Sequence, residues 1–165
     1  MKIIVLSDTH IPKKAKKLPS RLIEELSDVD FIIHAGDWQT LETYEELQSY
    51  APVEGVSGNV DSPEVQAKFG LQKILQFGDF KIGLVHGHGT HLTTEKRVIK
   101  TFKDDKLDMI IYGHSHIPIL KTVDDMILFN PGSPTDKRRQ KHYSFGIITI
   151  TDSLKAEHIF FSDKD

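Results

Sequence analysis

Four short apolar runs in this chain each lead into a cluster of glycine with aspartate or histidine, and this coupling constrains the fold more than any other feature. Ile3 to Leu6 precedes Asp8-Thr9-His10, and Phe31 to Ile33 precedes Gly36-Asp37. Ile82 to Val85 precedes His86-Gly87-His88, and Met109 to Tyr112 precedes Gly113-His114-Ser115-His116. A fifth cluster, Gly58-Asn59-Val60-Asp61, completes the set. Short apolar runs bounded by turn residues read as buried strands. Loops at the carboxyl ends of such strands are where open α/β sheets bind ligands.

The remaining pattern supplies the elements between those strands. A strand over 2–7 leads through a lysine-rich loop to a helix over about 19–27, started by Pro19 and Ser20 and carrying Leu18, Leu22, Ile23 and Leu26 on its apolar face. A strand over 30–35 follows, then a helix over 41–49 capped by Thr40, then a short strand from Val53 to Val56. Strands and helices alternating at this spacing argue for right-handed parallel units. Beyond residue 70 the pattern changes to hairpins. Residues 72–77 and 80–86 flank Gly78-Asp79, residues 117–123 and 126–129 flank Asp124-Asp125, and the two strands of the tail flank Asp152-Ser153. A helix over 91–104, begun by His91, and a strand over 107–112 lie between them. The expected architecture is α/β: two mixed sheets packed face to face, helices outside, in one domain over 1–165.

Composition narrows the function classes. The chain has 165 residues, 38% of them hydrophobic and 27% charged, as in an ordinary globular domain. Its formal net charge of −3 supplies no overall basic field, so neither nucleic acid nor an anionic membrane is the default partner. Cysteine is absent, which removes disulfides, thiolate metal sites and cysteine nucleophiles, and fits a cytoplasmic location. No segment approaches the roughly 20 apolar residues of a membrane span.

The clusters carry the ligand chemistry of divalent metals. Asp8 and His10 lie two apart, so in extended chain their side chains share one side and can chelate a single ion. The two oxygens of Asp37 can bridge two metals about 3.5–4 Å apart. Asn59 offers a neutral oxygen, and His86, His114 and His116 offer imidazole nitrogens. Imidazole and carboxylate without sulfur suit Mn2+, Ni2+, Fe2+, Co2+ or Zn2+. Two such ions acidify a bridging water to hydroxide, align it with a phosphorus atom and neutralise charge on the phosphoryl oxygens.

The ordered set D-x-H, G-D, G-N-x-D, H-G-H and G-H-x-H resembles the calcineurin-like metallophosphoesterase superfamily. Its length and the Asn130-Pro131-Gly132-Ser133 segment resemble the small single-domain bacterial and archaeal phosphodiesterase branch, over about residues 1–150. The resemblance implies a four-layer α/β/β/α sandwich. It implies a first metal held by Asp8, His10, Asp37 and His116, and a second held by Asp37, Asn59, His86 and His114, with manganese favoured. Asn59 would also touch the substrate, and Asp61 would act one layer out, orienting a histidine. The implied activity is hydrolysis of a phosphate diester, small or nucleotide-like. Many members carry a histidine where this chain has Val60, so His88 or water would supply the proton to the leaving group. Two alternatives stay open: a partner-binding scaffold, since a retromer subunit of this fold has lost catalysis, and a nucleotide phosphomonoesterase or pyrophosphatase. A homo-oligomer is equally open.

Other residues have bland and sharp readings. His34 reads as a hydrogen-bonded core histidine, and His142 and His158 as solvent-facing. Trp38 is either core or a stacking surface for a base. The runs Lys13, Lys14, Lys16, Lys17 and Lys137, Arg138, Arg139, Lys141 are solvated surface or one basic rim that steers an anionic substrate.

Overall fold

The computed structural model describes residues 1–165. In chain order its first half runs β1 (Lys2–Leu6), α1 (Ser20–Leu26), β2 (Phe31–His34), α2 (Glu42–Gln48), β3 (Val53–Gly55) and α3 (Pro63–Phe69). The second half runs β4 (Gln72–Phe77), β5 (Phe80–Val85), α4 (Thr94–Thr101), β6 (Met109–Ile111), β7 (Ile119–Val123), β8 (Met126–Asn130), β9 (Tyr143–Ile150) and β10 (Leu154–Phe161).

These strands form two mixed sheets of five, ordered β10-β9-β1-β2-β3 and β4-β5-β6-β8-β7. In the first, β1, β2 and β3 run parallel while β9 joins β1, and β10 joins β9, antiparallel. In the second, β5, β6 and β8 run parallel, with β4 and β7 as antiparallel edges. The clusters of the sequence sit where the parallel strands end.

Period-two alternation distributes β1 between two apolar layers. Ile3 and Val5 join Ile33, Ala35 and Val56 of their own sheet against Ile82, Leu84, Met109, Ile111 and Phe129 of the other. Ile4 and Leu6 point the opposite way, onto Leu22 and Leu26 of α1, Leu47 of α2 and Val65 and Phe69 of α3. A third layer packs Val98 of α4 and Phe102 on Ile110, Tyr112 and Leu128. Both faces of the central strands are covered, which is why they read as unbroken apolar runs. The layers are therefore α/β/β/α, as the motif pattern implied. No helix is long and apolar enough to cross a membrane.

Three local expectations need correction. Residues 63–69 form a helix that the apolar pattern does not announce, because its two buried residues, Val65 and Phe69, are a single i,i+4 pair. Its caps do announce it: the Ser62 hydroxyl accepts from the Val65 N–H, Pro63 opens the first turn, and Gly70 follows the end at φ 69°. Thr40 does not cap α2; Leu41 holds that position, and the Thr40 hydroxyl is buried without a hydrogen-bond partner. His91 does not begin α4, which starts after Thr93, whose hydroxyl accepts from the Lys96 N–H. The hairpin at Asp124-Asp125 is as expected, with φ of 49° and 64°, the left-handed pair that a tight two-residue turn demands.

Candidate metal centre

The loops after β1, β2, β3, β5 and β6 bring the predicted ligands together. Asp8, His10 and His116 present one ligand atom each, all within 4.8 Å of one another, and Asp8, Asp37 and His86 do the same. All five side chains are buried. Asp8 Oδ1 is the common member, 3.4 Å from His116 Nε2 and 3.7 Å from both His10 Nε2 and His86 Nε2. Asp37 Oδ2 also faces both groups, at 3.5 Å from His10 Nε2 and 3.2 Å from His86 Nε2. Asn59 Oδ1 lies 3.2 Å from His86 Nε2, and the His114 ring centre is 5.3 Å from that of His86. His88 sits further out, exposed, with ring centres 5.5 Å from His86 and 6.4 Å from His114.

Backbone conformation marks the same residues. Asp8, His10, Asp37, His114 and His116 all have φ between 47° and 69°. A side-chain-bearing residue in this left-handed region costs on the order of 1–2 kcal/mol, and such strain gathers at functional sites. At Gly113 and Gly58 the requirement is space. A Cβ on Gly113 would overlap the Ser7 hydroxyl, and a Cβ on Gly58 would overlap Asp37 Oδ1.

The ligands are aimed by an outer ring of hydrogen bonds. His86 Nδ1 lies 2.7 Å from the Ala35 carbonyl, and His116 Nδ1 bonds the Asp136 carbonyl. A carbonyl can only accept, so Nδ1 carries the proton in each ring and Nε2 is turned into the site. Asp8 Oδ2 accepts from the Ser7 hydroxyl at 2.8 Å and the His114 N–H at 3.0 Å, leaving Oδ1 for the centre. The Asn130–Ser133 segment clips these loops from below: Asn130 Nδ2 donates to the Gly113 carbonyl and Ser133 Oγ to the Asp8 carbonyl. Ser7, Ala35 and Asp136 carry no motif signal of their own, because two of them act through backbone atoms.

Asp61 works differently from the expectation that it orients a histidine. Its Oδ2 accepts from the N–H groups of Asp37 (3.0 Å) and Gly58 (2.6 Å), and its Oδ1 accepts from the Gln39 N–H (2.7 Å). It therefore ties the backbone of the Asp37 loop to that of the Asn59 loop. Trp38 is not a stacking surface for a substrate base. It is fully buried, donates to the Val56 carbonyl, and lies between His34 and Phe69 with ring centres 3.7 and 4.7 Å away. His34 is the core histidine expected, bonded to the Thr9 hydroxyl at 3.0 Å and accepting from the Gly36 N–H at 3.1 Å. His158 is half-buried rather than solvent-facing, since its Nε2 reaches the Asn130 carbonyl at 2.7 Å. The two basic runs are neighbours: Lys164 bonds both the Lys14 and Thr135 carbonyls, and Arg138 lies 3.5 Å from the His114 carbonyl.

Electrostatics favour a cation in the middle. Burial alone would raise the Asp8 carboxyl, but the His86 charge and the approach of His10 and His116 outweigh it and hold it well below the usual carboxylate range. Burial likewise opposes a charged His86, yet Asp8 and Asp37 push its pKa up to about 9. Burial, reinforced by the His86 charge, pulls His114 down to about 4. Asp8 Oδ1, His10 Nε2 and His116 Nε2 are buried and have no hydrogen-bond partner. Orphaned buried polar atoms are rare because each costs about 1–3 kcal/mol. Three of them converging on one point fit the donor set of a divalent metal.

Residues 1–153 match the family model of the calcineurin-like phosphoesterase superfamily domain. This chain belongs to that superfamily. A probable metallophosphoesterase of Methanocaldococcus jannaschii is 36% identical over 160 residues, covering 96% of this chain and 81% of the relative. A phosphodiesterase of the same organism is 31% identical over 176 residues, covering 96% of each chain. Among solved structures, Entamoeba histolytica Vps29 complexed with Zn2+ superposes with a TM-score of 0.77 at 25% identity, covering 97% of this chain and 99% of that one. The superfamily makes this chain a phosphoesterase-type protein, and the buried carboxylate–imidazole groups are its divalent-metal ligands.

Proposed function

We propose that the chain is a dinuclear metal-dependent phosphodiesterase working as one domain over 1–165. The observation that carries this reading is the pair of carboxylate–imidazole groups sharing Asp8, with Asp8 Oδ1, His10 Nε2 and His116 Nε2 otherwise unpartnered. Asp8, His10, Asp37 and His116 would hold one ion, and Asp37, Asn59, His86 and His114 the other. The relative that is a phosphodiesterase supports the diester, and the zinc-bound structural neighbour supports an imidazole–carboxylate site of this kind. Manganese is the metal we favour, on donor chemistry without sulfur.

Bound there, two divalent ions acidify water and neutralise the charge that develops on the phosphoryl oxygens. The chain's own groups do the rest. Water forms a bond to phosphorus, the bond to one alcohol arm breaks, and the products are a monoester and an alcohol. Asn59, exposed at the rim of the centre, offers its amide to a phosphoryl oxygen. His88 stands at the outer edge, where Val60 leaves the family's other histidine position filled by an apolar, 43% exposed side chain. Burial and the His86 charge hold His88 below the usual imidazole value, so at neutral pH it donates a ring N–H hydrogen bond to the departing oxygen rather than a full proton. Arg138 and the two lysine-rich loops make the approach positive for an anion.

The test is hydrolysis of bis-p-nitrophenyl phosphate against p-nitrophenyl phosphate by chelated protein, with and without Mn2+. Manganese-dependent cleavage of the diester with slow monoester is the expected result. Monoester preference would make the chain a phosphatase. Stoichiometric metal binding without turnover of either ester would favour a partner-binding scaffold, and Asp37→Asn should abolish any turnover seen.

A further inference from the structure

We infer that the cavity beside His88 receives the nucleoside arm of a phosphodiester substrate. This rests on the phosphodiesterase reading above and adds the substrate class. A diester carries two alcohol arms, and the metal centre accounts only for the phosphate between them. A cavity of about 660 Å3 starts at Gly87 and His88 and runs between β4, the end of β5 and α4. That volume lies inside the range of about 300–1,000 Å3 typical of small-ligand sites. His88 links the two regions, since its ring belongs to the cavity wall and lies 5.5 Å from that of His86.

The lining selects the arm. Leu71 and Leu92 line it while 63% and 55% exposed, an uncommon position for large apolar side chains unless a ligand covers them. Gln72, Thr90 and Thr101 add hydrogen-bonding groups along the same wall. Apolar faces with polar edges match the two faces and the rim of a nucleobase, and match a sugar or glycerol poorly. Lys100 and Arg97 are the charged residues of the lining, and no acid joins them, so a cationic arm such as choline is disfavoured.

The cavity also has a built wall. The Arg97 guanidinium donates to the carbonyls of Gly87 (2.9 Å), His91 (3.0 Å) and Leu92 (2.7 Å), and reaches the Thr94 hydroxyl at 3.2 Å. Those bonds pin the 87–92 loop from the α4 side and fix Leu92 relative to His88. They also occupy the Arg97 donors, so Lys100 is the cation left for a ligand.

Two measurements test the assignment. The first compares kcat/KM for thymidine 5′-p-nitrophenyl phosphate, methyl p-nitrophenyl phosphate and p-nitrophenylphosphorylcholine, using Mn2+-loaded wild type and a Leu71→Asp, Leu92→Asp double variant. Wild type should prefer the thymidine diester, and the thymidine-to-methyl ratio should fall about tenfold in the variant, the scale of losing an apolar contact. An unchanged ratio, or preference for the choline ester, would overturn the proposal. The second follows Leu71 and Leu92 methyl resonances of metal-free wild type during titration with thymidine 5′-monophosphate. Saturable shifts confined to this wall support the pocket even if no ester is turned over, in which case only the phosphodiesterase reading has failed. Absence of any shift there overturns the pocket, whatever the turnover.

Discussion

Replacing Asp61 by Asn separates the role that the structure gives this residue from the one its motif implies. The carboxylate accepts three backbone N–H groups, from Asp37 and Gly58 on one oxygen and from Gln39 on the other. Asparagine has a single acceptor oxygen. Keeping that oxygen at the Asp37–Gly58 position turns the amide NH2 toward the Gln39 N–H, donor against donor. One charge-assisted bond, worth about 1.5–3 kcal/mol, is then lost, and the two that remain weaken as the acceptor loses its charge. The expected destabilisation is about 3–5 kcal/mol by urea unfolding. Asp108→Asn is the comparison: its exposed Oδ2 accepts only from the Lys81 N–H, and the change should cost roughly 1 kcal/mol or less. Because Asp61 ties the Asp37 loop to the Asn59 loop, the Asp61→Asn variant should also bind metal about 10–100-fold more weakly by calorimetric titration. A variant within 1 kcal/mol of wild type and with unchanged metal affinity would refute the tie.

Adding Mn2+ at about 100 times Kd to chelated protein should stabilise it by about 2.7 kcal/mol per ion, and raise Tm by roughly 5–10 °C per ion in a thermal melt; no shift with Mn2+, Zn2+ or Ni2+ would refute the metal centre. Gly113→Ala forces a Cβ into the Ser7 hydroxyl and to 2.7 Å from Asp8 Oδ2, so it should cost about 1–3 kcal/mol and lower metal affinity, and wild-type affinity by titration would count against the close packing argued here. His34 is fully buried and burial holds its pKa at about 3, against 6.5 unfolded. The unfolded chain therefore takes up the proton first as pH falls, so this contribution is complete above about pH 6.5 and is lost between there and about 3. At pH 4.5 the loss is about 3 kcal/mol, and urea melts of His34→Gln should show that much less acid sensitivity; an equal slope would refute the assignment.

The centre of this protein was legible in its sequence to an unusual depth, because its ligands sit immediately after apolar runs that can only be strands. A strand ends where its apolar residues end, so Asp8, Gly36-Asp37, His86 and Gly113 to His116 announce both an element boundary and a chemical group. The caps of α3 were legible too, although Ser62, Pro63 and Gly70 signal a helix only when end signals are weighed above periodicity. Trp38 was ambiguous, since a tryptophan beside a ligand has the same local signal whether it packs inward or faces substrate.

By itself the sequence determined the alternation of strands and helices, the order of the ligand clusters and the donor types, all of which depend on residues close together in the chain. Only the tertiary structure decided which groups meet. Asp61 reaches Asp37 across 24 positions, His86 Nδ1 reaches the Ala35 carbonyl across 51, and the His114 N–H reaches Asp8 across 106. Those contacts depend on which strands lie side by side, and several use backbone atoms that every residue shares. The cavity bounded by Leu71, Leu92 and Arg97 arises in the same way, from β4 and α4 flanking the end of β5, and no local pattern encodes it.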